Sequence, residues 1–271
     1  MNVPQRTAPR EILPARRRED LLHIVQEAGQ ATVAELAGRF DVSSDTIRRD
    51  IDYLADLGLL ARTHGGAIPT SALASADTPL GNRMLVRADV KAAIGRAASK
   101  LIHDGETMII NGGTTTMAVA SALGGRHNLT VVTNSLLLPS ALPSTCLGEL
   151  YLIGGGVRLS SMTTSGPVQF AASSGQGSHA FSADVAVIGV GGVSVDSGLS
   201  TSSLPDAQMM REMISTAGRL IAVADATKID HNAFAHICPL DRVDSLISDI
   251  NLNHPVALAV IEAGGQVITV S

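Results

Sequence analysis

The stretch VSSDTIRRDIDYLADLGLLARTHGGA, residues 42–67, decides the fold of the first part of the chain. Two serines near its start are favoured helix caps, and the apolar residues after them recur at i, i+4 and i+7, which predicts a helix over 43–57. A glycine ends that helix, and segment 59–68 predicts a short two-stranded hairpin. The buried face of the helix would consist of Ile47, Ile51 and Leu54.

Two shorter helical patterns precede this stretch. Apolar residues at helical spacing predict a first helix over 16–28, which Gly29 closes. Thr32 and Glu35 form a capping-box pattern, so a second helix begins there and reaches Phe40. Three helices with a tight turn between the second and third, followed by a hairpin, are typical of a winged helix-turn-helix.

The outward face of the third helix carries candidate contacts to double-stranded DNA. Arg48 and Arg49 can bond guanine edges or phosphates, and hydroxyl residues at the helix start lie where amides point at phosphate oxygens. In a purely structural alternative, the arginines are solvated and pair with Asp45 and Asp52, and the hairpin residues only form a tight turn. The candidates for DNA contact are Ser44, Thr46, Arg48, Arg49 and His64.

The composition limits how the protein could bind nucleic acid. The 271 residues are 45% apolar and 17% charged, with a net charge of -5. Residues 1–70 contain nine Arg, ten acidic residues and no Lys, so any DNA contact must come from a local arginine stripe with a modest salt dependence. Aromatic residues make up 2% of the chain, which argues against base stacking on single strands.

The sequence also indicates the compartment and the absence of cofactors. No apolar run reaches the roughly 18 to 20 residues of a membrane span, and no apolar segment follows the basic N-terminus, so we expect a cytoplasmic protein without membrane contact. Cys146 and Cys238 lack CxxC spacing, which predicts two reduced, buried thiols. The eight His show no metal-binding spacing, so we expect neither a metal nor another cofactor.

The chain changes character after the hairpin. Segment 69–87, PTSALASADTPLGNRMLVR, is small, polar and without a hydrophobic period. It predicts a linker over 71–87 between a DNA-binding domain, 16–70, and a second domain, 88–271.

Helical and strand patterns alternate in the second domain. The order predicts an open α/β sheet, in which ligands bind beyond the carboxyl ends of the strands. The Ser/Gly stretch 171–179 predicts a loop. The predicted helices are 90–103, 117–123 and 136–142, and the predicted strands are 107–110, 129–133, 150–153, 185–190, 220–224 and 245–248.

Three turns of this sheet favour an anionic ligand. NGGTTT, residues 111–116, combines close backbone approach, three hydroxyls and the free amides of a helix start, which suits a phosphate. Asn134 and Ser135 follow the next strand, and Lys228 follows strand 220–224, where it could neutralise a phosphate. Taken singly, the glycine turn could be a helix cap and Lys228 a solvated surface lysine.

The pattern LLHIVQEAGQATVAELAGRFDVSSDTIRRDIDYLADLGLLARTHGGA closely resembles the N-terminal domain of the DeoR family of bacterial transcriptional regulators. INGGTTT, VVTNS, LIGGGVR, ADVAVIGVGG and DATK resemble the C-terminal sensor domain of that family. The resemblance implies a fold similar to sugar-phosphate isomerases, used to sense a phosphorylated sugar, and a homo-oligomer with paired DNA-binding domains. The resemblance gives the phosphate-loop role to Gly113, Thr114 and Thr115, the Asn-Ser turn to Asn134 and Ser135, and the lysine to Lys228. The full set of candidate effector-binding residues is Asn111, Gly113, Thr114, Thr115, Thr116, Asn134, Ser135, Gly155, Arg158, Asp206 and Lys228.

The chain departs from the family pattern at three places, which bear on the identity of the effector. Asn111 stands where an Asp is common, and Pro205-Asp206-Ala207 stands where a Glu-Glu-Ala-like stretch is usual. Met210 occupies a lysine position, although Met209, Met210 and Met213 together favour a core or subunit contact.

Two other functions are weaker alternatives. A sugar-phosphate isomerase or deaminase would need a proton shuttle, for which Asp206 and Asp225 are candidates without a recognisable acid partner. A nicotinamide site is suggested by Gly189-Val190-Gly191-Gly192, but Ser194 stands where the third glycine of the motif is required. We therefore expect an operator-binding regulator and no enzyme.

Overall fold

The computed structural model describes residues 14–56, 59–63, 65–69, 83–84, 86–166 and 181–271. The chain divides into two compact units, residues 1–73 and 74–271. Among the residues described, every helix is too short or too polar to cross a bilayer.

The first unit is a three-helix domain with a small antiparallel sheet in the order β1-β3-β2. The predicted capping box is present, because the Thr32 hydroxyl accepts from the Glu35 amide while the Glu35 carboxylate accepts from the Thr32 amide. The short strand β1 was not predicted. The elements are Pro14–Ala28 (α1), Ala31–Thr32 (β1), Val33–Phe40 (α2), Ser44–Asp56 (α3), Leu60–Thr63 (β2) and Gly66–Pro69 (β3).

The predicted buried face of α3 forms the centre of this unit. Ile47, Ile51 and Leu54 are buried against Leu21 of α1 and Leu36 of α2. Burial of such side chains contributes roughly 1.5 to 3 kcal/mol each, so packing rather than helix propensity fixes α3.

An ion pair between α1 and α3 adds to this core. The buried Asp50 carboxylate accepts from Arg17 Nε at 2.6 Å and from Arg18 Nε at 2.8 Å. Arg18 also lies over the Tyr53 ring, 4.0 Å from its centroid. The two helices are therefore joined by charge as well as by apolar contact.

The second unit contains a parallel seven-stranded sheet in the order β15-β14-β12-β9-β4-β5-β6. Within this sheet the first strand in the sequence is β4, and β5 and β6 follow it toward one edge. The next strand, β9, pairs with β4 on its other side, so the topological switch lies between β4 and β9. Its strands are Thr107–Ile110 (β4), Leu129–Thr133 (β5), Leu147–Leu152 (β6), Ala183–Gly189 (β9), Ala217–Val223 (β12), Ser245–Ser248 (β14) and Gln266–Thr269 (β15).

Smaller elements complete the second unit. β7 and β8 form a hairpin, and β10, β11 and β13 form an antiparallel sheet. The helices are Ala88–Ser99 (α4), Thr114–Ser121 (α5), Leu138–Ala141 (α6), Leu204–Ser215 (α7) and Pro255–Glu262 (α8). The small strands are Gly156–Arg158 (β7), Thr163–Ser165 (β8), Gly192–Ser194 (β10), Gly198–Thr201 (β11) and Ala235–Cys238 (β13).

Two apolar cores cover the two faces of the sheet. α4 and α5 pack on one face, and α7 and α8 pack on the other. The methionines of α7, residues 209, 210 and 213, belong to the core as predicted, and both cysteines are buried free thiols as predicted.

The structure corrects several predicted boundaries and leaves others outside its description. Helix α5 begins at Thr114 rather than at 117, because the hydroxyl residues already adopt the helical first turn. Strand β6 begins at Leu147 rather than at 150. The predicted loop 171–179 and linker residues 71–82 lie outside the described residues.

Candidate functional sites

The outward face of α3 is open to contact. Arg48, Arg49 and Ser44 are exposed, and Thr46 is partly exposed. Ser43, not Ser44, caps the helix, because its hydroxyl accepts from the Thr46 amide at 3.2 Å. Its hydroxyl also lies 2.9 Å from that of Thr46, so the two side chains are hydrogen-bonded at the start of the helix.

The two arginines of this face differ in their partners. Arg48 Nη1 donates to Asp45 Oδ1 at 2.9 Å, as the structural alternative anticipated, although both side chains are exposed. Asp52 pairs with Arg62 of β2 rather than with Arg49. Within the described part of the chain, Arg49 has no carboxylate partner, so its guanidinium is the available cation on this face.

The hairpin is held against the helices by a close backbone approach. A Cβ on Gly66 would lie 2.0 Å from the Ala31 carbonyl oxygen, so only glycine allows β3 to pair with β1 here. This gives Gly66 a structural role. His64 lies outside the described residues, and its proposed DNA contact stays a prediction.

In the second unit, the turn after β4 presents an open helix start. Among the described residues, no side chain caps the first turn of α5, which follows Gly113. Gly113, Thr114 and Thr115 are partly exposed, whereas Thr116 is fully buried and donates through Oγ1 to the Gly113 carbonyl at 3.0 Å. The exposed part of the turn therefore offers hydroxyls and helix-start amides to an anion.

Two predicted amides hold this turn in place. The Asn111 side chain donates to the Gly189 carbonyl at 2.9 Å and accepts from the Gly189 amide at 2.8 Å, so it bridges β4 and β9 at the switch point. Asn134 accepts from the Gly112 amide at 2.8 Å and donates to the Thr164 carbonyl at 2.9 Å. Both side chains are buried and position backbone around the turn.

Ser135 also has a positioning contact. It is buried, and its hydroxyl accepts from the Leu138 amide at 3.1 Å at the start of α6. The sequence alone does not distinguish such a contact from contact with a ligand, since the same residue types serve both.

A second polar cluster lies at the β7–β8 hairpin. Arg158 Nη1 lies 3.1 Å from Asp206 Oδ2, and its other nitrogen donates to the Ser203 hydroxyl at 2.6 Å. Asp206 also accepts from Ser165 at 3.0 Å. The Gly155 amide donates to the Ser165 carbonyl at 3.1 Å, so this predicted residue closes the same hairpin.

A cationic cluster lies around Lys91, and only its Lys228 was predicted from the sequence. It contains the buried Lys91, whose Nζ donates to the carbonyls of Arg83 and Val86 at 2.6 Å each. Arg87 forms an ion pair with Asp249 and lies 4.0 Å from Asp225. The cationic cluster consists of Arg83, Arg87, Lys91 and Lys228, with Asp225 and Asp249 as its carboxylates.

This cluster has more cations than carboxylates, four against two, and burial lowers the pKa of two of its cations. Burial, together with the neighbouring cations and against the attraction of Asp225, lowers the pKa of Lys91 to about 8. Burial also lowers the pKa of Arg83, whose Nε is buried without a hydrogen-bond partner in the described structure. An anion bound here would relieve both effects.

The cationic cluster and the NGGTTT turn lie at the same edge of the sheet. α4 ends before β4 and α5 follows it, so both helices begin at the carboxyl edge. Gly95 of α4 packs against Ala118 of α5, and Lys91 and Thr114 each lie about one turn before that contact. Both groups therefore lie near the starts of two adjacent helices.

A pattern that could have identified Lys91 is present in the sequence. Lys91 lies three residues before Ile94 and seven before Ala98, on the buried face of α4. A charged residue on an apolar helical face needs a partner in the fold. Arg83 and Arg87 carry no such pattern, because they lie in the predicted linker.

Comparisons with known proteins identify the family of both parts of the chain. The family described as DeoR-like helix-turn-helix domain matches residues 17–72, and that described as DeoR C terminal sensor domain matches residues 86–250. The chain is 33% identical over 235 residues to the HTH-type transcriptional repressor CsqR of Escherichia coli, which covers 86% of this chain and 87% of the relative. It is 30% identical over 234 residues to the glycerol-3-phosphate regulon repressor of Escherichia coli, with 86% and 90% covered.

A solved structure is similar to part of the chain. Ribose 5-phosphate isomerase A from Methanocaldococcus jannaschii aligns with 15% identity and a TM-score of 0.36. The alignment covers 52% of this chain and 54% of the isomerase.

Proposed function

The chain belongs to the DeoR family of transcriptional regulators, and on this premise we propose that it represses a carbohydrate catabolic operon under the control of a phosphorylated sugar or related metabolite. The observation that carries the proposal is that the chain has both an exposed arginine face on α3 and, in the sensor unit, a cationic cluster that contains the buried Lys91. The relative that represses a glycerol-3-phosphate regulon supports a phosphorylated effector.

DNA binding is assigned to the outward face of α3 in the major groove. Arg49 is the residue that we expect to contact a base or phosphate without first breaking an ion pair, whereas Arg48 must exchange Asp45 for DNA. Ser44 and Thr46 would approach phosphate oxygens at the helix start. Two such units on one two-fold operator, with half-sites about 34 Å apart, require an oligomer.

This assignment is tested by titrating the full chain against the DNA upstream of its own gene at several salt concentrations. Arg49→Ala should weaken binding by about tenfold or more, since a bidentate arginine contact contributes roughly 1 to 3 kcal/mol. Lys100→Ala, which removes an exposed cation from the sensor unit, is the matched control and should bind as wild type. Equal affinities for the two variants would exclude α3 as the contact.

Effector binding is assigned to the NGGTTT turn together with the cationic cluster. The phosphate would lie on the Thr114–Thr115 amides and hydroxyls and be neutralised by Lys228 and Lys91. Arg83 and Arg87 belong to the same unit as the NGGTTT turn.

Thermal-shift titration with sugar phosphates, the matching unphosphorylated sugars and inorganic phosphate tests the sensor. A phosphorylated ligand should raise the melting temperature, because it binds only the folded state. Lys228→Ala should abolish that shift and Lys100→Ala should retain it. If unphosphorylated sugars stabilise the protein as well as their phosphates do, the anion site is refuted.

Isomerase or deaminase activity is the second candidate, and the carboxylates argue against it. Asp206 is paired with Arg158 and Ser165, and Asp225 accepts from the amide of Thr227 at 3.0 Å. A proton shuttle needs a carboxylate that can reach substrate. Turnover of a sugar phosphate that Asp206→Asn abolishes would reverse this ranking.

A further inference from the structure

Strand β6, Leu147–Leu152, forms one edge of the seven-stranded sheet. Its inner side pairs with β5, and no other strand in the described ranges pairs with its outer side. Parallel sheets are ordinarily covered on both faces, yet residues 148–152 are all exposed. Such an edge presents backbone N–H and C=O groups that can pair with another chain.

This edge is apolar and nearly uncharged. Leu150 and Leu152 share one face of the strand and are 38% and 50% exposed, and the next strand and turn expose Val157 and Leu159 at 54% and 77%. Two exposed leucines on one face of an edge strand form an apolar surface beside its unpaired backbone. Residues 147–156 contain one charged residue, so charge does not protect the edge from pairing.

We infer that β6 pairs with β6 of a second copy of this chain, antiparallel about a two-fold axis at Leu150. A two-fold interface joins identical surfaces, and an edge strand meets its own copy in antiparallel orientation. In this register Glu149 lies opposite the partner's Tyr151, and Gly148 leaves space opposite the partner's Leu152.

The side chains of the strand favour this register over its neighbours. Within one strand the Tyr151 hydroxyl donates to the Glu149 carboxylate, so the two side chains are already matched on one face. The axis at Leu150 repeats that match across the interface, whereas an axis at Glu149 would bring two carboxylates together.

A second copy is the occupant that the match of Glu149 with Tyr151 and the function favour. A two-fold axis at Leu150 brings these two side chains opposite each other twice, once on each side of the axis. The inference deepens the proposed function, because a two-fold operator needs two DNA-binding units. It does not depend on which ligand the sensor binds.

Sedimentation velocity of the full chain, without DNA or sugar phosphate, tests the surface. The wild type should sediment as a dimer or a multiple of it, and Leu150→Lys should halve the mass, because two buried lysines would face each other across the axis. Leu258→Lys on α8, where leucine is 44% exposed, is the matched control and should keep the wild-type mass. A monomeric wild type, or a Leu150→Lys variant of unchanged mass, overturns the inference.

Oxidative cross-linking tests the register with a smaller change. Leu150→Cys should form an intermolecular disulfide, because residues paired across antiparallel strands have Cα atoms about 4.5 to 5.5 Å apart, within disulfide range. Wild type, with its two buried cysteines, and Leu258→Cys should remain uncross-linked. A Leu150→Cys chain that stays dimeric but uncross-linked overturns the proposed pairing. Since neither measurement includes DNA or effector, failure here is distinguishable from failure of the proposed function.

Discussion

Replacement of Gly95 by alanine tests how the two helices beside the sensor turn pack. A Cβ at Gly95 would lie 2.3 Å from the Ala118 carbonyl oxygen and 2.6 Å from its carbonyl carbon. Ordinary contacts between such atoms begin near 3.5 Å, so α4 and α5 would have to separate by roughly 1 Å. Both obstructing atoms are backbone, and no side-chain rotation can remove the clash.

The expected change in the free energy of unfolding of Gly95→Ala follows from two opposed effects. Overpacking costs about 3 kcal/mol at the upper end of its usual range, where backbone must move. The higher helix propensity of alanine returns about 1 kcal/mol, which leaves a loss of about 2 kcal/mol in the free energy of unfolding. For a unit of this size that loss lowers the melting temperature by roughly 4 to 8 °C.

Gly38→Ala is the control. Gly38 is also a helical glycine, in α2, and an added Cβ would meet nothing within 4 Å. The substitution should stabilise the first unit by about 0.5 to 1 kcal/mol through helix propensity alone. The comparison therefore separates the packing effect from the general effect of removing a glycine.

Urea unfolding measures both variants, and titration with the effector measures the consequence for the site. α5 starts at the NGGTTT turn, so a displaced helix should weaken binding of a sugar phosphate while α3 still binds DNA. A Gly95→Ala protein that unfolds at the wild-type urea concentration would refute the close approach of the two helices.

Four further predictions rest on charged groups. Asp50→Ala should destabilise the first unit by about 3 kcal/mol or more, because the buried Arg17 loses its carboxylate partner. Asp45→Ala breaks the exposed pair with Arg48 and should change stability by less than about 1 kcal/mol. Urea unfolding measures both variants. Because the pKa of Lys91 is lowered to about 8, calorimetric affinity for a sugar phosphate should fall as pH rises above 8, and Lys91→Met should remove that dependence. The same shift means that protonated Lys91 opposes folding. The free energy of unfolding of the ligand-free protein should therefore rise between pH 8 and 10.5, the pKa of an unfolded lysine. A free energy of unfolding that stays constant over this pH range would contradict the prediction. Burial raises the pKa of Glu106, but hydrogen bonds from Arg219 and His103 outweigh it and lower this pKa to about 2. The contribution of Glu106 to the free energy of unfolding should therefore be complete above pH 4.5 and disappear as pH falls toward 2. In Arg219→Ala, acid unfolding should show a much smaller dependence of this kind.

Helix-forming periods and caps determined much of the first unit locally. The i, i+4, i+7 spacing of Ile47, Ile51 and Leu54 predicted the buried face that α3 shows, and Thr32 with Glu35 predicted the start of α2. Such features depend on residues within one or two turns, which a sequence displays directly. The outward position of Arg48 and Arg49 follows from the same spacing.

The sequence predicted only part of the sensor site. Turn chemistry identified the NGGTTT segment and Lys228, because glycines and hydroxyls at a strand end mark a ligand edge whatever the strand order. Asn111 and Asn134 carry the residue types of a ligand site, and the fold uses their amides to hold Gly189 and Gly112. Their contacts join residues far apart in the chain, which no local pattern records.

By itself, then, the sequence determined the winged helix-turn-helix, the alternation that makes an open α/β sheet, and the residues exposed on α3. Only the tertiary structure decided that Arg83 and Arg87 join Lys91 and Lys228 in one cluster, and that β6 is an edge strand while equally apolar strands are interior. Periodicity reports which side of an element is buried, whereas strand order and the meeting of distant charges depend on how elements pack over long sequence separations.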